Sequence, residues 1–328
     1  GHQALFVAFA DHFDHAVNEV HTRHFQFDQF RDAQTAGIQH LKHGLVPNAF
    51  TTAHVHVIEH FLERTWATLS EDLTTNDPDK LQQATSGGLT IDATKAENHC
   101  TILCIAPSAT RQDEIWVGTD DGRLQHTTDG GATWTDHGAK LKGLPEGSWI
   151  PQIHLSVHNP DEVYVVANNY RRNDWSPYLY RTTDGGKSWK RLVYGEDIPA
   201  HVLSVVQDPE VADLLFLGTE EGLHFSVDRG VNWRRWIHDI PAVPVRDMVI
   251  HAREGDLVLG TFGRAAYVVE DLCPLRALAR EGAAVLNATF LAFDAATGYQ
   301  VPNPRPAVVF WKRRPGYRVS MPGAMKPS

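Results

Sequence analysis

An eight-residue pattern that recurs three times constrains the fold of this chain more than any other feature. The pattern is Ser/Thr-x-Asp-x-Gly-x-x-Trp, and its copies span residues 127–134, 182–189 and 226–233. The Asp carboxylate accepts hydrogen bonds from the turn that follows it, the Gly permits a positive φ, and the Trp buries a large ring. We therefore predict structural, turn-forming roles for Asp129, Gly131, Trp134, Asp184, Gly186, Trp189, Asp228, Gly230 and Trp233.

The spacing of the three copies indicates a repeated unit. Trp134 and Trp189 are 55 residues apart, whereas Trp189 and Trp233 are 44 apart. A period of roughly 40 to 50 residues is typical of one four-stranded blade of a β-propeller. The longer interval contains an insertion from Asn168 to Pro177, where the other units have a short turn.

Short apolar runs between turn signals complete the prediction of an all-β fold. Ile115 to Thr119, Leu215 to Thr219 and Leu257 to Thr261 all end in Gly-Thr and lead through a turn into another short run. Short strands at regular spacing are typical of all-β proteins. The unit that begins at Leu257 lacks the octapeptide, so the sequence predicts consecutive propeller blades of which the last one departs from the pattern.

On these motifs, and on the stretches Ser70 to Pro78 and Gly260 to Arg264, the chain resembles the Asp-box, or bacterial neuraminidase repeat (BNR), β-propellers. Within that group it is most similar to bacterial BNR-repeat glycosyl hydrolase proteins, which are similar to the sortilin-type propeller and to xyloglucanases. The resemblance covers residues 73–276, about two thirds of the chain. It implies an incomplete ring of blades, hence a fragment, and an exported bacterial protein that is secreted or periplasmic.

The two ends of the chain differ in composition from the blades. Residues 1–65 contain ten of the nineteen histidines, and their apolar positions predict a helical segment. Pairs such as His56-x-x-x-His60 would share one helical face, which makes a metal site conceivable, but no complete ligand set is present and a solvated His-rich helix is the better explanation. A third interpretation is a sequence joined to the blades by a reading-frame or assembly error. The predicted organisation is therefore this segment over 1–65, blades over 66–276, and a short helix with a Pro/Arg-rich tail or linker over 277–328.

Charge and composition exclude some classes of function. The chain has 40 acidic and 30 basic residues, a net charge of −10, which argues against nonspecific binding to nucleic acid. No apolar run reaches the roughly 18 residues of a membrane span, and the first residues do not read as a signal peptide. We predict no cofactor and no metal, and the sequence leaves the oligomeric state open.

The resemblance also predicts where a ligand binds. In the family the inner strand of each blade lines the central channel and the octapeptide turns lie on the bottom rim, so the turns at the opposite ends of the strands form a top face. Aromatic rings, guanidinium groups and carboxylates there suit a glycan or polypeptide ligand. The candidates are Trp149, Gln152, Arg171, Arg172, Asp174, Trp175, His201, Arg246 and Asp247, with Asn98, His99, Phe262 and Arg264 on the same face. Their structural alternatives are pairing of the arginines with Asp174 and packing of the tryptophans between blades.

Catalysis is the weaker prediction. A glycosidase needs two carboxyl groups roughly 5 to 10 Å apart, and no pattern selects a pair from Asp120, Asp121, Glu220, Glu221 and Asp247. The Arg-Ile-Pro motif of sialidases is absent. The sequence thus predicts a ligand-binding propeller without an identifiable catalytic set, and the alternative is a xyloglucanase-like glycoside hydrolase that uses these carboxylates.

Overall fold

The computed structural model describes residues 56–60, 65–81, 99–287, 290 and 292–293. The first two strands, β1 (His56–His60) and β2 (Thr65–Thr68), form an antiparallel pair. Residues 56–60 are thus a strand, which corrects the helical prediction there, because pairing with a neighbouring strand outweighs local propensity. The remainder of the predicted N-terminal helix, and Asn98, lie outside the described residues.

Four antiparallel sheets follow in chain order, and each is a meander of consecutive strands that we call a blade. Blade 1 contains β3 (Ile102–Pro107), β4 (Ile115–Thr119), β5 (Leu124–Thr127) and β6 (Thr135–Asp136). Blade 2 contains β7 (Trp149–Leu155), β8 (Val163–Asn169), β9 (Asp174–Thr182) and β10 (Lys190–Arg191). Blade 3 contains β11 (Val202–Gln207), β12 (Leu215–Thr219), β13 (Gly222–Ser226) and β14 (Arg234–Arg235). Blade 4 contains β15 (Val245–His251), β16 (Asp256–Thr261) and β17 (Ala266–Val269), and no described residue adds a fourth strand to it.

The core lies between the blades. All residues of the second strands β4, β8 and β12 are buried, because each of these strands has another layer of the structure on both of its faces. This explains why the second strands read as continuous apolar runs instead of alternating ones. Between blades 1 and 2, for example, Trp116 and Leu124 pack with Ile153, Val165 and Tyr180.

The three octapeptides form the turns between the third and fourth strands of blades 1 to 3. In the second copy, Asp184 Oδ1 accepts hydrogen bonds from the Thr182 hydroxyl at 2.7 Å and from the Ser188 N–H at 2.9 Å. These bonds recur around Asp129 and Asp228. Hydrogen bonds from Thr133 and Thr127 lower the pKa of Asp129 to about 2. The carboxylates therefore close turns.

The glycine and tryptophan of the second octapeptide also contact the neighbouring blade. A Cβ on Gly186, whose φ is +82°, would lie 2.8 Å from the ring of Trp116 and 2.8 Å from that of His137 in blade 1. The Trp189 ring meets Trp116 edge-on, with the ring centroids 5.9 Å apart. Position 186 thus requires glycine for two reasons: its φ is positive, and the close approach of blade 1 leaves no room for a Cβ.

Hydrogen bonds between turns define the two ends of each blade. At the end that carries the octapeptides, the N–H groups of Gly130, Gly185 and Arg229 donate to the carbonyls of Asp113, Asp161 and Asp213. At the opposite end, the N–H groups of Asp120, Glu220 and Phe262 donate to the carbonyls of Thr101, His201 and Pro244. We call these ends the bottom rim and the top face. The octapeptide turns therefore lie at the opposite end of the strands from Asp120, Glu220 and Phe262.

A helix closes the described part of the chain. Helix α1 (Cys273–Glu281) begins four residues earlier than the predicted start at Ala277, because Pro274 lies in its first turn and favours a helix start there. A 3-10 helix (Gly282–Asn287) follows. The buried Arg276 side chain donates to Asp208 Oδ2 at 2.9 Å and to Glu210 Oε1 at 2.7 Å, which attaches the helix to the turn between β11 and β12.

Candidate functional site

The insertion in blade 2 extends a β-hairpin over the top face. Strand β8 continues to Asn169 and β9 begins at Asp174, so only a 3-10 turn (Tyr170–Arg172) and Asn173, with φ of +60°, connect them. Most of the insertion from Asn168 to Pro177 therefore extends strands β8 and β9 and does not form a long loop. Its tip still projects from the top face.

Asp174 stabilises this hairpin and does not pair with the nearby arginines. Its carboxylate accepts hydrogen bonds from the Tyr178 hydroxyl at 2.7 Å, the Ser176 N–H at 3.1 Å and the Asn169 amide at 3.3 Å. Partial burial raises the pKa of Asp174, but these hydrogen bonds outweigh it and the pKa is lowered. Both the ligand role predicted for Asp174 and its pairing with Arg171 or Arg172 lack support in this geometry.

Arg171 lies flat against aromatic rings. Its guanidinium carbon is 3.3 Å from the Trp149 ring centroid and 4.6 Å from that of Tyr170. Desolvation by these rings lowers the pKa of Arg171, and the positive charge of Arg246 adds to the effect. A guanidinium stacked in this way keeps its N–H edge available for a carboxylate.

His201 lies beneath two aromatic side chains of the hairpin. The Tyr170 ring stacks on it with centroids 4.7 Å apart, and Trp175 meets it edge-on at 5.5 Å. His201 is only 2% exposed, and burial together with Arg246 lowers its pKa to about 4. The imidazole is therefore neutral at physiological pH.

Arg246 and Asp247 on β15 complete the cluster from blade 4. The Arg246 guanidinium carbon is 5.6 Å from the ring centroid of Phe262, which is 59% exposed. Asp247 accepts a hydrogen bond from the Met248 N–H at 2.8 Å, and desolvation by the surrounding protein raises its pKa. Blades 2, 3 and 4 thus contribute arginine, histidine, aromatic and carboxylate groups to one face.

The other predicted residues have structural partners. Gln152 Oε1 accepts a hydrogen bond from the Val205 N–H at 2.7 Å and so joins β7 to β11. Arg172 donates to the Glu146 carbonyl. Asp120 and Asp121 are buried, and they accept hydrogen bonds from Thr101, Thr119 and Thr75. Burial raises the pKa of Asp120 although the bonds from Thr101 oppose it. These two carboxylates therefore stabilise the local turns of blade 1.

Tyr170 is a residue of this cluster that the sequence prediction does not include. It contacts Arg171, Trp175 and His201, which makes it the centre of the cluster. Tyr170 lies inside the insertion, which was the only sequence signal for it. The prediction instead selected the charged residues and the tryptophan of the same segment. Across the part of the chain that the structure describes, no three His, Cys, Asp or Glu side chains converge on a metal site, and no helix is long and apolar enough to cross a membrane.

The repeated octapeptide turns and the antiparallel meander sheets show that residues 102–269 have the fold of Asp-box β-propeller blades. The family model of the BNR/Asp-box repeat matches residues 180–191, which include the second octapeptide. The chain is 30% identical over 119 residues to the photosystem II assembly lipoprotein Ycf48 of Synechocystis sp., covering 36% of this chain and 29% of that protein.

Two further relatives belong to different functional classes. The vacuolar protein sorting/targeting protein 10 of Aspergillus clavatus is 31% identical over 116 residues, covering 30% of this chain and 8% of that protein. A xyloglucanase of Paenibacillus sp. is 31% identical over 114 residues, covering 33% and 10%. The chain therefore spans less than a third of the length of each of these three relatives.

Solved structures with a similar fold include an enzyme and a peptide-bound protein. The GH74 enzyme of Niastella koreensis matches with a TM-score of 0.45 and 12% identity, covering 66% of this chain and 32% of that one. YCF48 bound to D1 peptide matches with a TM-score of 0.36 and 20% identity, covering 48% and 47%. At these identities the likeness concerns the fold alone.

Proposed function

We propose that this chain is a binding propeller whose top face takes an acidic polypeptide. The observation that carries the proposal is the environment of the Arg171 and Arg246 side chains. Both are exposed, both lie against aromatic rings, and neither forms an ion pair with a described carboxylate. In a chain with a net charge of −10, two unpaired guanidinium groups on one face favour an anionic ligand.

Exposed aromatic groups next to these arginines add apolar contact area. Trp175 is 54% exposed and Phe262 is 59% exposed, which is unusual for side chains of this size. Arginine and tryptophan are the residues that most often dominate binding at protein interfaces. The combination favours a polypeptide, which offers carboxylate and apolar side chains together, over a purely ionic ligand.

The test is binding of a decameric glutamate peptide, measured by calorimetry with wild-type protein and variants. Arg171→Ala should weaken binding about tenfold or more, because a charge-assisted hydrogen bond contributes about 1.5 to 3 kcal/mol. Arg171→Lys should recover only part of the loss, since lysine lacks the planar, bidentate edge. Arg234→Ala, an exposed arginine on β14, is the matched control. Unchanged affinity in Arg171→Ala would remove the stacked arginine from the site.

A glycoside hydrolase is the second candidate, because carboxyl groups from two blades lie on the top face. Such an enzyme needs a general acid, and Asp247 would take that role. Glu220 would be its partner on the same face. Hydrolysis of xyloglucan by wild-type protein, lost in Asp247→Asn, would establish this candidate; hydrolysis by neither protein would leave binding as the function.

A further inference from the structure

The interior of the top face contains a polar side chain without hydrogen-bond partners. His201 is 2% exposed, yet neither Nδ1 nor Nε2 has a hydrogen-bond partner. Glu220 Oε2 lies 3.6 Å from Nε2, beyond hydrogen-bond length. Buried polar groups are nearly always satisfied, so an imidazole with two open positions requires an explanation.

The cover over His201 comes from a neighbouring blade. Tyr170 stacks on the face of the imidazole and Trp175 lies at its edge, and we call these two residues the aromatic cover. Both belong to the hairpin tip of blade 2, whereas His201 precedes β11 of blade 3. The side chain of Trp175 is more exposed than buried, and its indole N–H bonds only within the tip, to Asn173 Oδ1 at 3.2 Å. The cover therefore rests on His201 by ring contact.

We propose that His201 and Glu220 form a subsite for a carboxamide side chain, asparagine or glutamine, that enters when the aromatic cover moves aside. The inference rests on the proposed binding of an acidic polypeptide, and it adds a specificity element to the same face. A neutral imidazole offers one N–H donor and one acceptor, and a carboxylate offers only acceptors. A primary amide matches this pair, since its NH₂ donates to Glu220 Oε2 and its carbonyl accepts from the imidazole N–H.

The position of the subsite selects a side chain over a backbone amide. His201 lies below the rings of the cover, so a ligand group must protrude from its own backbone to reach it. Arg171 stacks against Tyr170, and the charge of Arg246 acts on His201. Acidic residues next to the carboxamide would thus meet the two guanidinium groups while the amide occupies the subsite.

Two synthetic peptides of eight residues each test the proposal. One alternates glutamate with glutamine, and the other has methionine, which is similar in length and has no amide, in place of every glutamine. Wild-type protein should bind the glutamine peptide about tenfold more tightly, because the methionine peptide leaves the imidazole and carboxylate unsatisfied. His201→Ala should bind both peptides equally.

Because His201→Ala could lose binding through unfolding, two variants of the neighbouring turn provide an independent test. Glu220→Ala should abolish the preference for glutamine, whereas Glu221→Ala, at the adjacent exposed position, should keep it. Equal binding of both peptides by wild-type protein would overturn the subsite and leave the acidic-polypeptide proposal standing. Binding of neither peptide would overturn both proposals. A preference that survives in both His201→Ala and Glu220→Ala would assign the amide to another part of the face.

Discussion

The bottom rim and the top face of this propeller differ in how much they repeat. On the rim, the hydrogen bonds around Asp129, Asp184 and Asp228 are the same in three blades. On the top face each blade has its own chemistry: a threonine–aspartate turn in blade 1, the aromatic hairpin tip in blade 2, the His201–Glu220 pair in blade 3 and the stacked Arg246 in blade 4. Positions that repeat form the fold, so the face that does not repeat is where ligand chemistry can vary.

The same contrast exists inside the blades. The buried Glu114 of blade 1 accepts hydrogen bonds from the Trp116 indole at 3.3 Å and from His126 at 3.1 Å. At the equivalent position of blade 3, the buried residue is Leu214, which packs with Phe216. A polar network and an apolar cluster thus occupy one structural position, which agrees with the general finding that buried ion pairs are replaceable by well-packed apolar groups. The fold fixes burial there, but it does not fix polarity.

The largest predicted effect breaks the attachment of α1 to the bottom rim. Arg276→Ala leaves the fully buried Asp208 without its partner, and removing one member of a buried pair costs about 3 to 5 kcal/mol of unfolding free energy. Urea unfolding measures the loss. Arg280→Ala is the control, since Arg280 is exposed and lies 3.7 Å from Glu210, and its effect should stay within about 0.5 kcal/mol. Similar stabilities of the two variants would show that the helix adds nothing to the rim.

A smaller effect tests the top face through pH. Burial and Arg246 lower the pKa of His201 from 6.5 to about 4, so the unfolded chain takes up the proton first as the pH falls. Stability from this group is complete above pH 6.5 and is lost between pH 6.5 and 4, with about 2 kcal/mol lost by pH 5. His201→Phe keeps a ring under Tyr170 and removes the titration. Unfolding free energies at pH 7 and 5 should therefore differ less in the variant; an equal difference would contradict the assignment.

The smallest predicted effect concerns a single octapeptide. Asp184→Ala removes the acceptor of the bonds from Thr182 and Ser188, and loss of a turn-capping carboxylate costs about 1 kcal/mol. Lys187→Ala, at an exposed position of the same turn, should change stability by less than about 0.5 kcal/mol. Peptide affinity should be the same in both variants. A weaker affinity in Asp184→Ala alone would extend the binding site to the rim.

Much of the fold could be predicted because its signals are local. The Asp, Gly and Trp of each octapeptide form a turn whose hydrogen bonds span four residues, so eight letters contain the required information. Strand limits were less accurate. The apolar run predicted from Leu257 is part of a strand that already begins at Asp256, because Asp256 pairs with His251 of β15.

The candidate site was less predictable because its contacts are distant in sequence. Trp149, His201 and Arg246 were predicted from their places at the ends of strands, and Arg171 from its place in the insertion. Gln152 fits the same pattern, yet its side chain is bound to the β11 backbone. Whether a polar residue at a strand end is free or occupied depends on its neighbours in the next blade, which the local sequence does not contain.

The sequence by itself determined the repeated hairpins, the order of the strands and the position of the insertion, since these follow from turn chemistry and apolar spacing. Only the tertiary structure decided which groups meet on the top face. Tyr170 and His201 are 31 residues apart along the chain, and their rings stack because blades 2 and 3 pack against each other through buried apolar strands. Packing between blades therefore converts a repeated motif into one distinctive surface.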